Sequence, residues 1–492
     1  MKIWYPVKFR GILQSGSRKL TKFKKSRVLQ ELKLLQKLKV LPGLRDLAEG
    51  QIIFLLILIM VIVFSGTASF LPFRLLQGPV GKDSGSVRAE DFQAEEIFNP
   101  AELEIFSWWT APGEREGLEY LINSFQEEYP EIEVVNAAVE GGAGVNAKDV
   151  LKIRLLRNIP PDTFQVHAGA ELKDTFIAGD YLNPLTELWQ EQGWQEVFPE
   201  KLTEMVRKKG EYYSLPVTAH RSNRLWYNKE MLADYGLQPP RTPDELLSTV
   251  KALAEKDEIP LALGSRNLWP ITHLFETLLA ALAEPEQFEA LVRGERSWGS
   301  PEVERTLEIM QELLTHVNED HASLSWHEAC ELILQREAAL TVMGTWARGY
   351  FAARNASLDE DYGSVVLAGE NQVFLLVVDT FAMPAATENQ SFTRKWLEFI
   401  SRREIQGKFT EILGAAPPRS DIKSEELISG TREDHLDLLN QQNLLPSIAH
   451  GAAAREVFVN ALNQELNVFL YENDISGTLE ELKLLAEIYL IP

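Results

Sequence analysis

A chain of 492 residues, 45% apolar and 25% charged, is long enough for two or three domains and ordinary in composition for a folded protein. Its formal charge of −23 is lopsided: residues 1–50 carry a net +10 and the remainder −33. Such a body repels phosphate backbones, which excludes nucleic-acid binding by the main domain, and a single cysteine, Cys330, excludes an internal disulfide, a Cys-rich zinc site or a CxxC redox pair.

The first element is apolar. From Gly50 to Phe73 no residue is charged, a stretch of 24 residues long enough to span a bilayer as a helix, and within it Ile52 to Phe64 (IIFLLILIMVIVF) is unbroken hydrocarbon. The excess of Lys and Arg lies before this span, so the positive-inside rule puts residues 1–49 in the cytoplasm and the rest on the extracytoplasmic, periplasmic side of the cell membrane. The competing reading is a cleaved signal peptide, with small residues Ser65 to Ser69 after the apolar core, but a basic leader of some fifty residues is long for one. Within the leader, Arg27 to Leu41 (RVLQELKLLQKLKVL) places Leu on one helical face and Lys on the other, suited either to the anionic inner leaflet or to solvent. Residues 74–100 lack hydrophobic periodicity and carry Gly, Ser and acidic side chains, the composition of a flexible linker.

The outer body opens with a period-2 strand, Leu103 to Trp108 (LEIFSW). A helix is predicted over Gly113 to Tyr129, with Leu118, Leu121, Ile122 and Phe125 on one face and Pro130 ending it. Ile132 to Val139 reads as a second strand, Ala147 to Leu156 as a helix, and Asp162 to Val166 as a third strand. This alternation predicts an α/β fold with a parallel sheet flanked by helices, continued by helices from Thr242, Pro301 and Ser325 and strands near Leu340 and Val373.

Catalytic and cofactor motifs are missing. Gly141 to Lys148 (GGAGVNAK) follows a strand and precedes a helix, yet fits neither the GxxxxGK[ST] nor the GxGxxG pattern, and a turn with close backbone approach is the simpler reading. His327-Glu328 begins an HExxH motif, but Glu331 occupies the place of the second ligand. No GxSxG elbow occurs, and Cys330 is filler on a helix. No cofactor, metal site or catalytic residue is expected. A glycosidase carboxylate pair is not eliminated by counting, because acidic residues are abundant.

Aromatic and polar residues at strand ends are more telling. Trp108-Trp109 ends the first strand at the edge where α/β sheets bind ligands, and alternation lets one indole enter the core while the other points outward. A flat indole there suits the apolar face of a sugar ring. Gln165 and His167 share one side of the third strand's end, and each can donate and accept as hydroxyl recognition requires. Leu215 to Asn223, which includes His220, is an extended run suited to crossing between lobes. Ser325 and Glu328 fit a capping box, which leaves Trp326 unexplained.

In order and spacing, LEIFSWW (103–109), GGAGVNAKDVLKIRLL (141–156), PPDTFQVHAGAEL (160–172), HRSNRLWYN (220–228), LSWHEA (324–329), MGTWARGY (343–350), DTFAMP (379–384) and HGAAA (450–454) resemble the bacterial extracellular solute-binding proteins of carbohydrate ABC transporters, nearest the glucose/mannose-binding type, from about Glu102 to about Phe469. The resemblance implies a two-lobed periplasmic-binding-protein (type II) fold, here preceded by one N-terminal transmembrane helix. Lobe 1 would comprise 101–218 and 375–425, and lobe 2 would comprise 219–374 and 426–492. It implies a small carbohydrate ligand, ABC permease subunits as partners, and ATP hydrolysis on a separate chain. Carried over by motif, Trp108 or Trp109 would stack on the sugar; Gln165, His167, His220, Asp379 and His450 would bond its hydroxyls; Trp326 and Trp346 would add aromatic walls. The acidic residue expected after the double Trp is either Glu114 or Glu116. Two departures stand out: Thr345 replaces an acidic residue before the Trp of MGxWA, and Leu413-Gly414 replaces Lys-Gly. A sensor signalling to a membrane partner, or a secreted glycosidase, are the rival functions.

Overall fold

The structure, a computed structural model, describes residues 101–492 apart from 142, 143, 370, 441, 442 and 492. The expected membrane span, its basic leader and the linker lie outside the described residues. Among those described, no helix is long and apolar enough to cross a membrane.

The chain begins as the sequence predicts, with β1 (Ala101–Phe106), α1 (Glu114–Glu128), β2 (Ile132–Asn136), α2 (Val145–Leu156) and β3 (Thr163–His167). On α1 the periodic residues Leu118, Leu121, Ile122 and Phe125 are all buried. Gly113 starts that helix at φ 87°, and a Cβ there would lie 2.4 Å from the Gly349 backbone, so only glycine lets α1 begin against its neighbour. After short helices the chain enters β4 (Ser214–Arg221) and β5 (Arg224–Asn228). Next come α3 (Pro243–Ala254), β6 (Ile259–Leu261), α4 (Trp269–Leu282), α5 (Pro301–Leu314), α6 (Trp326–Leu334), β7 (Ala338–Val342), α7 (Trp346–Ala353) and β8 (Tyr362–Val366). The chain closes with β9 (Phe374–Ala382), α8 (Arg403–Leu413), α9 (Ser429–Asn440), β10 (Leu444–Pro446), α10 (Glu456–Glu472) and α11 (Ile475–Tyr489). Thr242 and Ser325 both complete capping boxes with the Glu three residues on.

The strands form two principal sheets. In the six-stranded one the order is β10-β9-β3-β1-β2, with β4 on the other side of β9. The expectation of a parallel sheet holds for β1 with β2 and β3 and for β9 with β10, and it is corrected elsewhere. Strand β9 runs antiparallel to both β3 and β4, and in the second sheet (order β8-β5-β7-β6) only β6 and β7 are parallel. The reason is connectivity: β9 enters its sheet from β8 of the other, so its direction is set by the crossing and not by a strand–helix–strand unit.

Each sheet carries its own core, one around Phe125, Phe164, Trp189 and Trp396, the other around Phe275, Trp298, Leu307 and Phe458. This is a two-lobed α/β body. The chain passes from the first sheet to the second through Ser222-Asn223, between β4 and β5, and back between β8 and β9. Asn223 ties the two passages together. Its Nδ2 donates to the carbonyls of Leu367 (3.2 Å) and Val373 (2.9 Å), while its Oδ1 accepts the Leu375 N–H (3.0 Å). A smaller aromatic cluster, with Trp226, Trp269, Trp326, Trp346 and Tyr350, packs with Val377 of β9.

Candidate functional site

A β-bulge sets the centre of the site. The pairing of β9 with β4 shifts register between Asp379 and Thr380, while that with β3 runs unbroken, and Asp379 lies opposite Thr218 on β4 and His167 on β3. Its carboxylate takes hydrogen bonds from Gln165 Nε2 (2.7 Å) and Thr218 Oγ1 (2.8 Å). His167 Nε2 stands 3.6 Å from one oxygen and His220 Nε2 3.7 Å from the other, both beyond hydrogen-bond length. Neither pair is closed by a hydrogen bond, so the carboxylate oxygens and the two Nε2 atoms keep capacity for a hydroxyl beside them.

The three imidazoles at this centre are each held by the Nδ1 edge. His167 Nδ1 meets Glu171 Oε2 at 3.3 Å, His220 Nδ1 meets Thr345 Oγ1 at 2.8 Å, and His450 Nδ1 meets Ser447 Oγ at 2.9 Å. Burial alone would raise Glu171, but the charges of Lys148 (2.6 Å away) and His167 outweigh it and hold the carboxyl down at about 2. Burial pulls His220 down to about 4 despite Asp379, and it holds His450 well below the usual imidazole range. Those two rings are therefore neutral at pH 7, each with one nitrogen donating and one accepting.

His450 has a deeper support. Glu276 Oε2 accepts the backbone N–H groups of Ile448 (2.6 Å) and Ala449 (3.1 Å), and Oε1 accepts the Ser447 hydroxyl (2.7 Å). One helix thus clamps the whole turn that carries His450. Among the described residues, His273, Glu276 and His450 form a set with potential metal-ligand atoms within 4.8 Å of one another. The Glu276 oxygens are already committed to that turn, so Glu276 acts there as a brace.

Asp379, His167, His220 and His450 line a narrow cavity together with Trp108, Trp109, Glu114, Trp269, Trp326 and Trp346. Its walls are close, with room for only about two waters, so a larger guest enters by parting them. Both indoles of the double Trp face it while also packing in the first core, where Trp109 contacts Phe381 and Phe409. The expected division of one indole inward and one outward does not occur, because both follow the end of β1 instead of continuing its pleat. A Cβ on Gly144, at φ 73°, would come within 2.7 Å of the Trp108 ring, so the GGAG turn lies flush on that indole.

The two acidic residues after the double Trp separate. Glu114 faces the cavity, and burial, reinforced by the charge of Asp379, pushes its carboxyl up to about 8. Glu116 turns back to accept the Gly113 N–H at 2.5 Å and is a helix cap. Gln165 is also inward-facing: its Oε1 accepts Ser107 Oγ (2.6 Å) and the Trp108 N–H (3.2 Å), so it orients Asp379 from behind. The departures noted in the sequence are accommodated. Thr345 supplies the hydroxyl that holds His220, and Leu413 gives the cavity an apolar patch. Lys148, Glu171, Trp269 and Glu276 belong to the site although no local pattern marks them. The one available signal was that Lys148 lies in the GGAGVNAK segment.

A second, wider space shares Trp108, Glu114 and Trp326 with the first. Cys330 is fully buried, and burial pushes its thiol far up, as befits filler.

Residues 101–407 match the family model described as bacterial extracellular solute-binding protein. The chain belongs to that family. An ABC transporter extracellular-binding protein of Pyrococcus horikoshii is 38% identical over 77% of this chain and 86% of its own length. A probable sugar-binding periplasmic protein of Brucella suis is 25% identical over 76% of this chain and 89% of its own. Among solved structures, the bacterial solute receptor AcbH superposes with a TM-score of 0.70 at 16% identity, covering 80% of this chain and all of AcbH. Membership makes this extracellular solute-binding protein a binding protein and not an enzyme, which removes the glycosidase reading.

Proposed function

We propose that the protein is a membrane-anchored, extracytoplasmic sugar receptor that captures a mono- or short oligosaccharide between its lobes and delivers it to an ABC permease. Lobe 1 is assigned to 101–218 with 375–425 and lobe 2 to 219–374 with 426–492, with residues 50–73 as the anchor. The observation that carries the reading is the cavity's chemistry. Five indoles supply flat apolar walls, Asp379, His167, His220 and His450 supply hydroxyl partners braced from behind, and Glu114 adds a carboxyl. Sugar rings present an apolar face and a polar rim, and both are met here. Similarity to the probable sugar-binding protein of Brucella suis and to a glucose-binding protein of Saccharolobus solfataricus supports a sugar as the solute. Each lobe offers part of these contacts, so ligand favours the closed arrangement by its differential affinity.

Titration of the full-length protein with glucose, mannose, trehalose, maltose and glucosyl-glycerol, followed by calorimetry and tryptophan emission, tests the reading. Saturable binding of at least one sugar with a change in emission is expected. A folded protein that binds none of them would refute it. Recovery of the protein in the membrane fraction after a high-salt wash is expected from the anchor, and a wholly soluble mature protein shortened at its amino terminus would favour the cleaved-signal alternative.

Glu114 gives the binding a pH signature. Below about 8 its carboxyl holds a proton and can donate to a sugar hydroxyl; above that it is a second charge beside Asp379. Affinity is expected to fall between pH 7 and pH 9 in the wild type and to stay flat in Glu114→Gln. The raised value also has a stability consequence. The unfolded carboxyl ionises near about 4.3 while the folded one keeps its proton, so this group's contribution is complete below about 4.3 and declines as pH rises through 8.

A further inference from the structure

Among the described residues, those that line the central cavity include two carboxyls, Glu114 and Asp379, and no lysine or arginine. Lys148 and Arg348 lie outside that lining and are already paired, Lys148 Nζ with Glu171 Oε2 at 2.6 Å and Arg348 Nη2 with Asp434 Oδ2 at 3.0 Å. Burial and the charge of Asp379 together push the Glu114 carboxyl up to about 8, so the protein by itself keeps a proton on one of two carboxyls that have no cationic partner. A cation brought in by the ligand would let both ionise.

The imidazoles add acceptors to this excess of negative charge. Ser447 gives its single hydrogen to Glu276 Oε1 at 2.7 Å, so its oxygen accepts from His450 Nδ1 at 2.9 Å and His450 Nε2 is left as an acceptor. Glu171, ionised and able only to accept, takes the hydrogen of His167 Nδ1 at 3.3 Å, and in the neutral ring that leaves Nε2 an acceptor as well. The indoles adjoin these rings, with centroids 4.8 Å apart for Trp108 and His167, 5.2 Å for Trp269 and His450, and 5.0 Å for Trp346 and His450. An indole face attracts a cation through its ring quadrupole, the more so where water is excluded. Trp269 Nε1 has no hydrogen-bond partner, which leaves a donor for a ring hydroxyl that a quaternary ammonium ion does not possess.

Resting on the sugar-receptor reading, we infer that the solute is an amino sugar, a hexose whose ammonium group is the counter-ion of Asp379 and Glu114. Its hydroxyls and N–H groups supply the hydrogens that the carboxylates and the imidazole Nε2 atoms accept, and its apolar face meets the indoles. A neutral hexose fits the same walls but leaves the two carboxyls facing each other without a cation. It therefore binds more weakly, and an N-acetylated hexose, which has the nitrogen without the charge, gains nothing over it.

Calorimetry on the full-length protein at pH 7 tests this with glucosamine, galactosamine and mannosamine, each against its neutral parent hexose and its N-acetyl derivative, and with choline and glycine betaine as charged molecules that are not sugars. At least one amino hexose is expected to bind about tenfold or more tightly than both its parent and its N-acetyl form, because its bonds to the carboxylates are charge-assisted. Repeating the titration in phosphate and in Tris, buffers of different ionisation enthalpy, should show release of roughly half a proton or more per amino sugar bound, as the ammonium displaces the Glu114 proton, and no release with the neutral hexose. Glu114→Gln, which imitates the protonated carboxyl and so keeps the fold, should abolish that release and reduce the preference for the amino sugar by about threefold or more. Equal affinities for amino and neutral hexoses, tighter binding of the N-acetyl form or of choline, or a preference that persists in Glu114→Gln without proton release would overturn the amino-sugar assignment, and binding of a neutral hexose would still leave the receptor reading intact. Failure of every sugar to bind, amino sugars included, would remove both.

Discussion

Asp379→Asn is expected to lower sugar affinity roughly 30- to 100-fold, about 2–3 kcal/mol, with little change in folding. The side chains have the same shape. Asn can keep an oxygen toward Gln165 Nε2 and turn its amide to Thr218 Oγ1, a hydroxyl able to accept as well as donate. What disappears is the charge and the two-sided acceptor facing His167 and His220 across gaps of 3.6 and 3.7 Å. A ligand hydroxyl beside either oxygen donates to the carboxylate more strongly than it would to a neutral amide. The measurement is a paired one, calorimetric affinity beside denaturant unfolding. Unchanged affinity in a stable variant would move the binding site away from this carboxylate.

The largest stability effect belongs to Asp434. This fully buried carboxylate accepts from Arg224 Nη2 at 2.7 Å and from Arg348 Nη2 at 3.0 Å, and it lies 3.7 Å from Arg221 Nε. Burial by itself would raise its pKa, and the three guanidinium groups overcome that and hold it at about 2. Arg221 and Arg224 flank Ser222-Asn223, where the chain passes from the first sheet to the second, so Asp434 pins that passage from α9. Glu433 and Asp437 of the same helix add bonds of 2.7 and 2.6 Å, but they are half exposed and contribute little. Asp434→Asn leaves three buried cations short of a partner and should cost about 3–5 kcal/mol. Denaturant unfolding at pH 7 measures it, and a loss below about 1 kcal/mol would show that the outer carboxylates suffice.

The pH dependence follows with its sign. A carboxyl near 4 when unfolded and near 2 when folded contributes stability fully above about 4, and that contribution is lost as pH falls through 2. The gap between wild type and Asp434→Asn should therefore narrow from pH 4 to pH 2. Glu171, also held at about 2, titrates in the same window, but it is common to both proteins and cancels in the difference.

Local rules account for the parts of this protein that local rules govern. The amphipathic face of α1 and the capping boxes at Thr242 and Ser325 could be read because the deciding partners are within four residues. Glu116 also belongs in that class: it occupies the third helical position after Gly113, the one that reaches back to a cap. The absence of a nucleotide loop, a disulfide and a zinc motif was equally plain from spacing. The aromatic and polar strand ends, aligned by resemblance with a family of receptors, brought Trp108, Trp109, His167, His220, Trp326, Trp346, Asp379 and His450 into view.

The tertiary structure decided the rest. The direction of β9 depends on where it enters its sheet, and the bulge that aims Asp379 depends on simultaneous pairing with β3 and β4, strands more than 150 residues away. Glu276 acts on His450 across 171 residues through Ser447, and Glu171 and Lys148 act on His167 without any spacing that would single them out. Gln165 shares a strand face with His167, yet it spends its amide on Ser107, Trp108 and Asp379 because those groups are nearer than the cavity. The sequence by itself determined which chemical groups the site could contain, since residue type and short-range periodicity are local properties. Which of them face the ligand space, and with which ring nitrogen, was settled only by long-range packing, because a buried polar group takes its orientation from whichever partner the fold brings within hydrogen-bond reach.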